Sequence, residues 1–176
     1  MTHFTQKYTI IQLFEDLSEG TQFSASSWPL HATIADTFAI DWDVPTMIEK
    51  LTQLLSSHAS ATSVVEDDRF FGDQGQVQVA LLKKTDDLVK LHQDVIEVLE
   101  QGGWKPNDPQ FAKEGFLPHS TVQKHARLNK GDEVTFNALT IIDMFPGGDP
   151  YQRKVIKTIK VSVADKFLNI DQGGAF

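Results

Sequence analysis

The chain has 176 residues, 40% apolar and 23% charged, with no cysteine and a net charge of −8. That length builds one domain, or two small lobes sharing a core. It excludes disulfides, thiolate metal sites and cysteine nucleophiles, and the acidic balance argues against long duplex nucleic acid as a partner, which needs a broad basic surface.

The acidity is uneven. Residues 1–104 carry 6 Lys/Arg against 16 Asp/Glu, whereas residues 105–176 carry 10 against 8. A small anionic ligand held by a few local groups therefore stays open. No apolar run approaches the roughly 18 residues needed to span a bilayer, so no membrane partner is expected. The opening stretch MTHFTQKYTIIQLFEDL lacks a cleavable signal pattern, because its apolar run soon meets Glu15 and Asp16. The expectation is a cytoplasmic protein, taken as a monomer.

In chain order, residues 7–14 (KYTIIQLF) are rich in β-branched and aromatic residues and predict a buried strand. A polar loop follows through residue 29. Residues 31–38 (HATIADTF) alternate, which predicts a strand with His31, Thr33, Ala35 and Thr37 on one face and Ala32, Ile34, Asp36 and Phe38 on the other. Residues 44–58 predict an amphipathic helix with Met47, Leu51, Leu54 and Leu55 on one stripe and Asp43 as N-cap. Residues 61–71 and 76–84 predict a hairpin around GDQG. Residues 85–103 predict the clearest helix, capped by Thr85, acidic in its first turn and ended by Gly102-Gly103. His58 and His92 read as ordinary helix or helix-end residues.

A loop with three prolines, residues 104–118, leads into HSTVQKHARL, a second predicted strand over 119–128. Its alternation puts His119, Thr121, Gln123 and His125 on one face, with Ser120 and Val122 on the other. Residues 133–145 and 152–163 predict two long strands joined by the turn-rich PGGDPY. Hairpins dominate, so the predicted class is α+β with largely antiparallel sheets.

One tetrapeptide pattern occurs twice: His31-Ala32-Thr33-Ile34 and His119-Ser120-Thr121-Val122. On a strand, residues i and i+2 share a face. Each copy thus presents an imidazole beside a hydroxyl, with Ile34 or Val122 turned back to anchor the strand. Should the two strands meet, two imidazoles and two hydroxyls converge. An imidazole titrates near about 6.5, so one can be neutral while the other is protonated. That is what paired general base and general acid catalysis requires. The hydroxyls can hold the oxygens of a phosphodiester. A metal site would need a third ligand converging on the pair, and the sequence offers none.

The pair HATI and HSTV, the second preceded by Phe116-Leu117-Pro118, resembles the two-histidine phosphoesterase superfamily. That group includes the 2'-5' RNA ligase-like proteins and the RNA 2',3'-cyclic phosphodiesterases. The resemblance covers the layout of nearly the whole chain, and no motif position departs from the pattern. It implies a bilobal, pseudo-two-fold fold, a single unit over 1–176, whose antiparallel sheets are flanked by helices and enclose a central groove carrying both motifs. It implies metal-independent, cofactor-free hydrolysis of a nucleoside or RNA-terminal 2',3'-cyclic phosphate to a 2'-phosphate. His31 and His119 would be the acid–base pair, with Thr33 and Thr121 on the phosphate. We adopt His119 as base and His31 as acid, an order the sequence does not decide.

Further candidates lie nearby. Lys124 and Arg127 could add positive potential at the groove mouth. Trp28, Trp104, Phe111, Phe116 and Tyr151 could stack on a base, Phe116 and Tyr151 foremost. His125 lies about 20 Å beyond His119 at strand rise and reads as a surface residue. The acidic run Glu66, Asp67, Asp68 and Asp73 lacks the spacing of a calcium loop and reads as a solvated hairpin end. Two other functions compete with hydrolysis: a nucleotide-binding module of the same fold with little turnover, and ligation of 2'-5' linkages by the reverse chemistry.

Overall fold

The computed structural model describes residues 6–161. Two antiparallel sheets and two helices make up the fold. The first sheet has six strands in the order β2 (Gln22–Ser24), β10 (Gln152–Lys160), β9 (Ala138–Asp143), β1 (Tyr8–Leu13), β3 (His31–Ala39), β6 (Lys105–Pro106). The second has four, in the order β7 (His119–Thr121), β5 (Val77–Leu82), β4 (Ala61–Phe71), β8 (Glu133–Phe136). This is the α+β architecture the sequence predicts.

Strand β1 is apolar at consecutive positions because both its faces are covered. Ile10 points into the main core, while Ile11 joins Ile142 and Val155 in a smaller cluster on the other face. Helix α1 (Val44–Leu55) starts where the Asp43 side chain accepts from Thr46 N at 2.9 Å, and buries Met47, Leu51 and Leu55. Helix α2 (Asp86–Gln101) is capped by Thr85 and buries Leu88, Leu91, His92, Val95, Ile96 and Leu99. Each such apolar side chain contributes roughly 1.5–3 kcal/mol by leaving water. Helix α2 ends at Gly102-Gly103: a side chain at Gly102 would run into the Trp42 ring, and Gly103 leaves the helical path at φ 81°. The helix packs against β3 and β4, one strand of each sheet, so it bridges the two.

Two predicted strands differ from those observed. Residues 133–145 form two strands in different sheets. Strand β8 pairs with β4, the chain breaks at Asn137, and β9 pairs with β1 and β10. The buried Gln12 carboxamide stabilises the break, its oxygen accepting from Asn137 N at 2.9 Å and Ala138 N at 3.1 Å. Strand β7 is only His119–Thr121, because Gln123 N turns to Ala126 O and ends the pairing with β5. His125 therefore does not share the His119 face; it sits beyond the turn and bonds Glu15 at 2.8 Å. The loop before His31 contains β2, and the long loop 104–118 contributes β6. Strand β10 is described to Lys160, and the last residues of the run predicted over 152–163 lie outside the described residues.

Candidate active site

Strand β3 brings His31 and Thr33 to the surface of the first sheet, with Ala32 and Ile34 buried behind them. Strand β7 does the same for His119 and Thr121, with Ser120 buried against Ala80 of β5. Ser120, not Val122, is the residue that anchors this copy; Val122 is only half-buried. The two motif strands are not hydrogen-bonded neighbours. They belong to different sheets and face each other. The packing of β3 against β7 brings the two motifs to one groove, where a positive charge on His119 lowers the His31 pKa.

Each imidazole is held in the same way. His31 Nδ1 lies 2.8 Å from Pro29 O, and His119 Nδ1 lies 2.7 Å from Leu117 O. A carbonyl only accepts, so Nδ1 carries the proton in both rings. In the neutral form Nε2 is then the basic atom, left free for chemistry. Aromatic rings flank both: Trp28 lies 4.8 Å from the His31 ring, and Phe71 meets the His119 ring edge-on at 4.9 Å. Arg153 sits over the Trp28 ring at 5.7 Å. Burial of His31 is the main cause that pushes its pKa below the ordinary imidazole value; the Pro29 carbonyl opposes this and His119 adds to it. Among the described residues, neither the Thr33 nor the Thr121 hydroxyl has a hydrogen-bond partner.

Two cavities border the groove. The first, about 210 Å³, is lined by Thr33, Asp36, Phe71, Phe111, Phe116, Leu117 and His119. The second, about 300 Å³, is lined by Glu15, Phe23, Ser26, Ser27, Trp28, Pro29, Gln123, Lys124 and His125, among others. The first thus adjoins the residues after His31 and before His119. The second adjoins those before His31 and after Thr121. The two cavities thus adjoin complementary flanks of the two motifs.

The remaining candidates divide between these places. Phe116 and Phe111 line the first cavity, and Lys124 and Trp28 the second. Arg127 is held by Asp68 at 2.5 Å, and Tyr151 stands exposed near the β2 end of the first sheet; neither lines either cavity. Trp104 packs against the core, with Lys113 over its ring.

Two residues of the site escape the sequence reading. His92 is fully buried: Nδ1–H donates to Ile34 O at 2.6 Å, Nε2 accepts from Lys113 N at 2.9 Å, and the ring stacks on Phe116 at 3.9 Å. It ties β3 to the loop that walls the first cavity, and helical spacing alone cannot show that. Asp36 is the other. Strict alternation would send it to the buried side with Ile34, but bulges in the β1–β3 pairing bury Ile34 and Ala35 in succession and turn Asp36 outward.

Residues 9–139 match the 2'-5' RNA ligase superfamily, and the chain belongs to that family. No curated protein sequence matches it. Among solved structures it is similar to a phosphoesterase at TM-score 0.52 and 14% identity, covering 90% of this chain and 99% of that one. It is also similar to E. coli LigT complexed with 3'-AMP, at TM-score 0.51 and 16% identity, covering 89% and 98%. The apo form of LigT gives TM-score 0.51 at 15% identity, covering 88% and 96%. These likenesses establish the fold.

Proposed function

We propose that this protein hydrolyses a cyclic phosphodiester, a nucleoside or RNA-terminal 2',3'-cyclic phosphate, without a metal. The observation that carries the reading is the pair of imidazoles. Each has Nδ1 committed to a backbone carbonyl and, among the described residues, each has Nε2 free and an unpartnered hydroxyl two residues on. The lowered pKa of His31 supports His31 as the base, the reverse of the order adopted from the sequence. Neutral His31 takes a proton from water through Nε2 as the water oxygen bonds to phosphorus. The P–O3' bond breaks, and protonated His119 delivers its Nε2 proton to the departing O3'. The product is a 2'-phosphate; exchange with solvent returns both histidines to their starting states. Thr33 and Thr121 hold the non-bridging oxygens, where charge gathers in the transition state.

The nucleoside fits the first cavity, whose Phe71, Phe111 and Phe116 suit a base through stacking. A LigT of the same fold has been crystallised with 3'-AMP, which supports a nucleotide ligand. The second cavity favours one further reading. An alcohol seated there could replace water as nucleophile, which is ligation by the same two histidines.

The test is hydrolysis of the four nucleoside 2',3'-cyclic monophosphates, and of a short RNA ending in a cyclic phosphate, with EDTA present. We expect a 2'-phosphate product whose formation is lost in His119→Ala. Turnover that needs added metal, or that survives in His119→Ala, would refute the mechanism.

A further inference from the structure

The first cavity is aromatic and aliphatic on most sides, yet Asp36 opens into it. Among the described residues, no donor hydrogen-bonds to this carboxylate and no cation pairs with it. The register shift between Thr33 and Ala35 buries Ile34 and Ala35 in succession and leaves Asp36 exposed. Set among aromatic and aliphatic side chains, this carboxylate can accept N–H donors from whatever the cavity receives.

Position narrows the choice. Asp36 lies three residues beyond Thr33, about 10 Å at strand rise and less across the bulge. With the phosphate on the His/Thr quartet, that separation is comparable to the span of a nucleoside from its 3' oxygen to the outer edge of its base. The base edge is therefore what meets Asp36. Adenine and cytosine each offer an amino group beside a ring nitrogen that accepts, and uracil offers one N–H between two carbonyls. Guanine alone presents two adjacent donors, N1–H and N2–H, that match both oxygens of a carboxylate.

Building on the hydrolase reading above, we propose that Asp36 makes this site selective for guanosine, accepting from N1–H and N2–H while the aromatic wall of Phe71, Phe111 and Phe116 holds the ring. The substrate class is then a guanosine-terminated 2',3'-cyclic phosphate.

The test compares kcat/KM for guanosine, adenosine, cytidine and uridine 2',3'-cyclic phosphates in wild type and Asp36→Asn, with calorimetric binding of the four 2'-monophosphates alongside. Asp36 is exposed and unpartnered, so the substitution leaves the fold intact. Wild type is expected to favour guanosine by about 10-fold or more, the discrimination of one bidentate contact. Asp36→Asn is expected to shrink that advantage to within about threefold, with the loss concentrated in the guanosine compounds. Equal rates on all four, or an equal loss on all four in the variant, would overturn the proposal, the second outcome pointing to a ribose contact. Turnover without base preference defeats this inference and leaves the hydrolase reading standing. Guanosine-selective binding without turnover does the reverse.

Discussion

The two halves of the groove use one device in different surroundings. In each, a histidine bonds through Nδ1 to the carbonyl two residues before it and lies beside an aromatic ring. His31, however, stands at the start of a nine-residue strand, paired there with Leu13 of β1 and set against Trp28, whose ring Arg153 also approaches. His119 stands in a three-residue strand at the edge of its sheet. Desolvation acts on the first of these and lowers its pKa. The difference teaches that a duplicated motif supplies two similar side chains, while the packing around each gives it its own surroundings, drier for His31.

The sharpest way to break this symmetry is to remove one imidazole at a time. His31→Ala and His119→Ala should each lower kcat by about 10²–10⁴-fold, the usual contribution of a positioned acid or base. The double variant should be little worse than either single, because the pair acts as a unit. Additive losses in single-turnover kinetics would mean that the two act independently.

A smaller effect tests the difference in environment. His31 should titrate below about 6.5, seen by NMR of its ring protons. The acidic limb of kcat/KM should lie below that value too, since protonated His31 cannot take a proton from water. Trp28→Ala admits water to the ring and should move the His31 pKa back up. An unchanged titration would show that the indole does not keep His31 dry.

The hydroxyls come next. Thr33→Val and Thr121→Val each delete one hydrogen bond to a charged group, about 1.5–3 kcal/mol, or roughly 10- to 100-fold in kcat/KM. A loss confined to one of them would show that the phosphate leans on a single half.

Much of this was legible in the chain. The helices announced themselves through Asp43, Thr85 and the spacing of their leucines, because caps and stripes are local. The two His-x-Thr strands were legible because period-two alternation puts a histidine and a threonine on one face wherever the strand lies. What sequence could not show depends on distant partners. Residues 133–145 read as one strand because nothing local marks the change of sheet at Asn137; the carboxamide that holds it belongs to Gln12, far back in the chain. Alternation along β3 alone puts Asp36 on the Ile34 face, because a bulge is a property of two paired strands and one segment of sequence shows only one of them. His92 looked ordinary because its partners, Ile34 and Lys113, come from β3 and from a loop.

His92 also gives the smallest effect, one on stability and not on rate. Its ring must be neutral, since Nδ1–H donates to Ile34 O while Nε2 accepts from the Lys113 amide. Burial lowers its pKa in the folded protein. As pH falls through about 6.5, the unfolded chain takes up a proton that the folded one refuses, so folding stability declines until the depressed folded pKa is reached. His31 adds a decline of the same sign. Urea unfolding followed from pH 7.5 to about 5 should therefore show falling stability, and His92→Gln should flatten part of that slope. The same variant should release Phe116 from its stack and loosen the wall of the first cavity, raising KM for a nucleotide more than it lowers kcat. A slope unchanged by His92→Gln would mean that the tie between β3 and the Lys113 loop does not depend on a neutral imidazole.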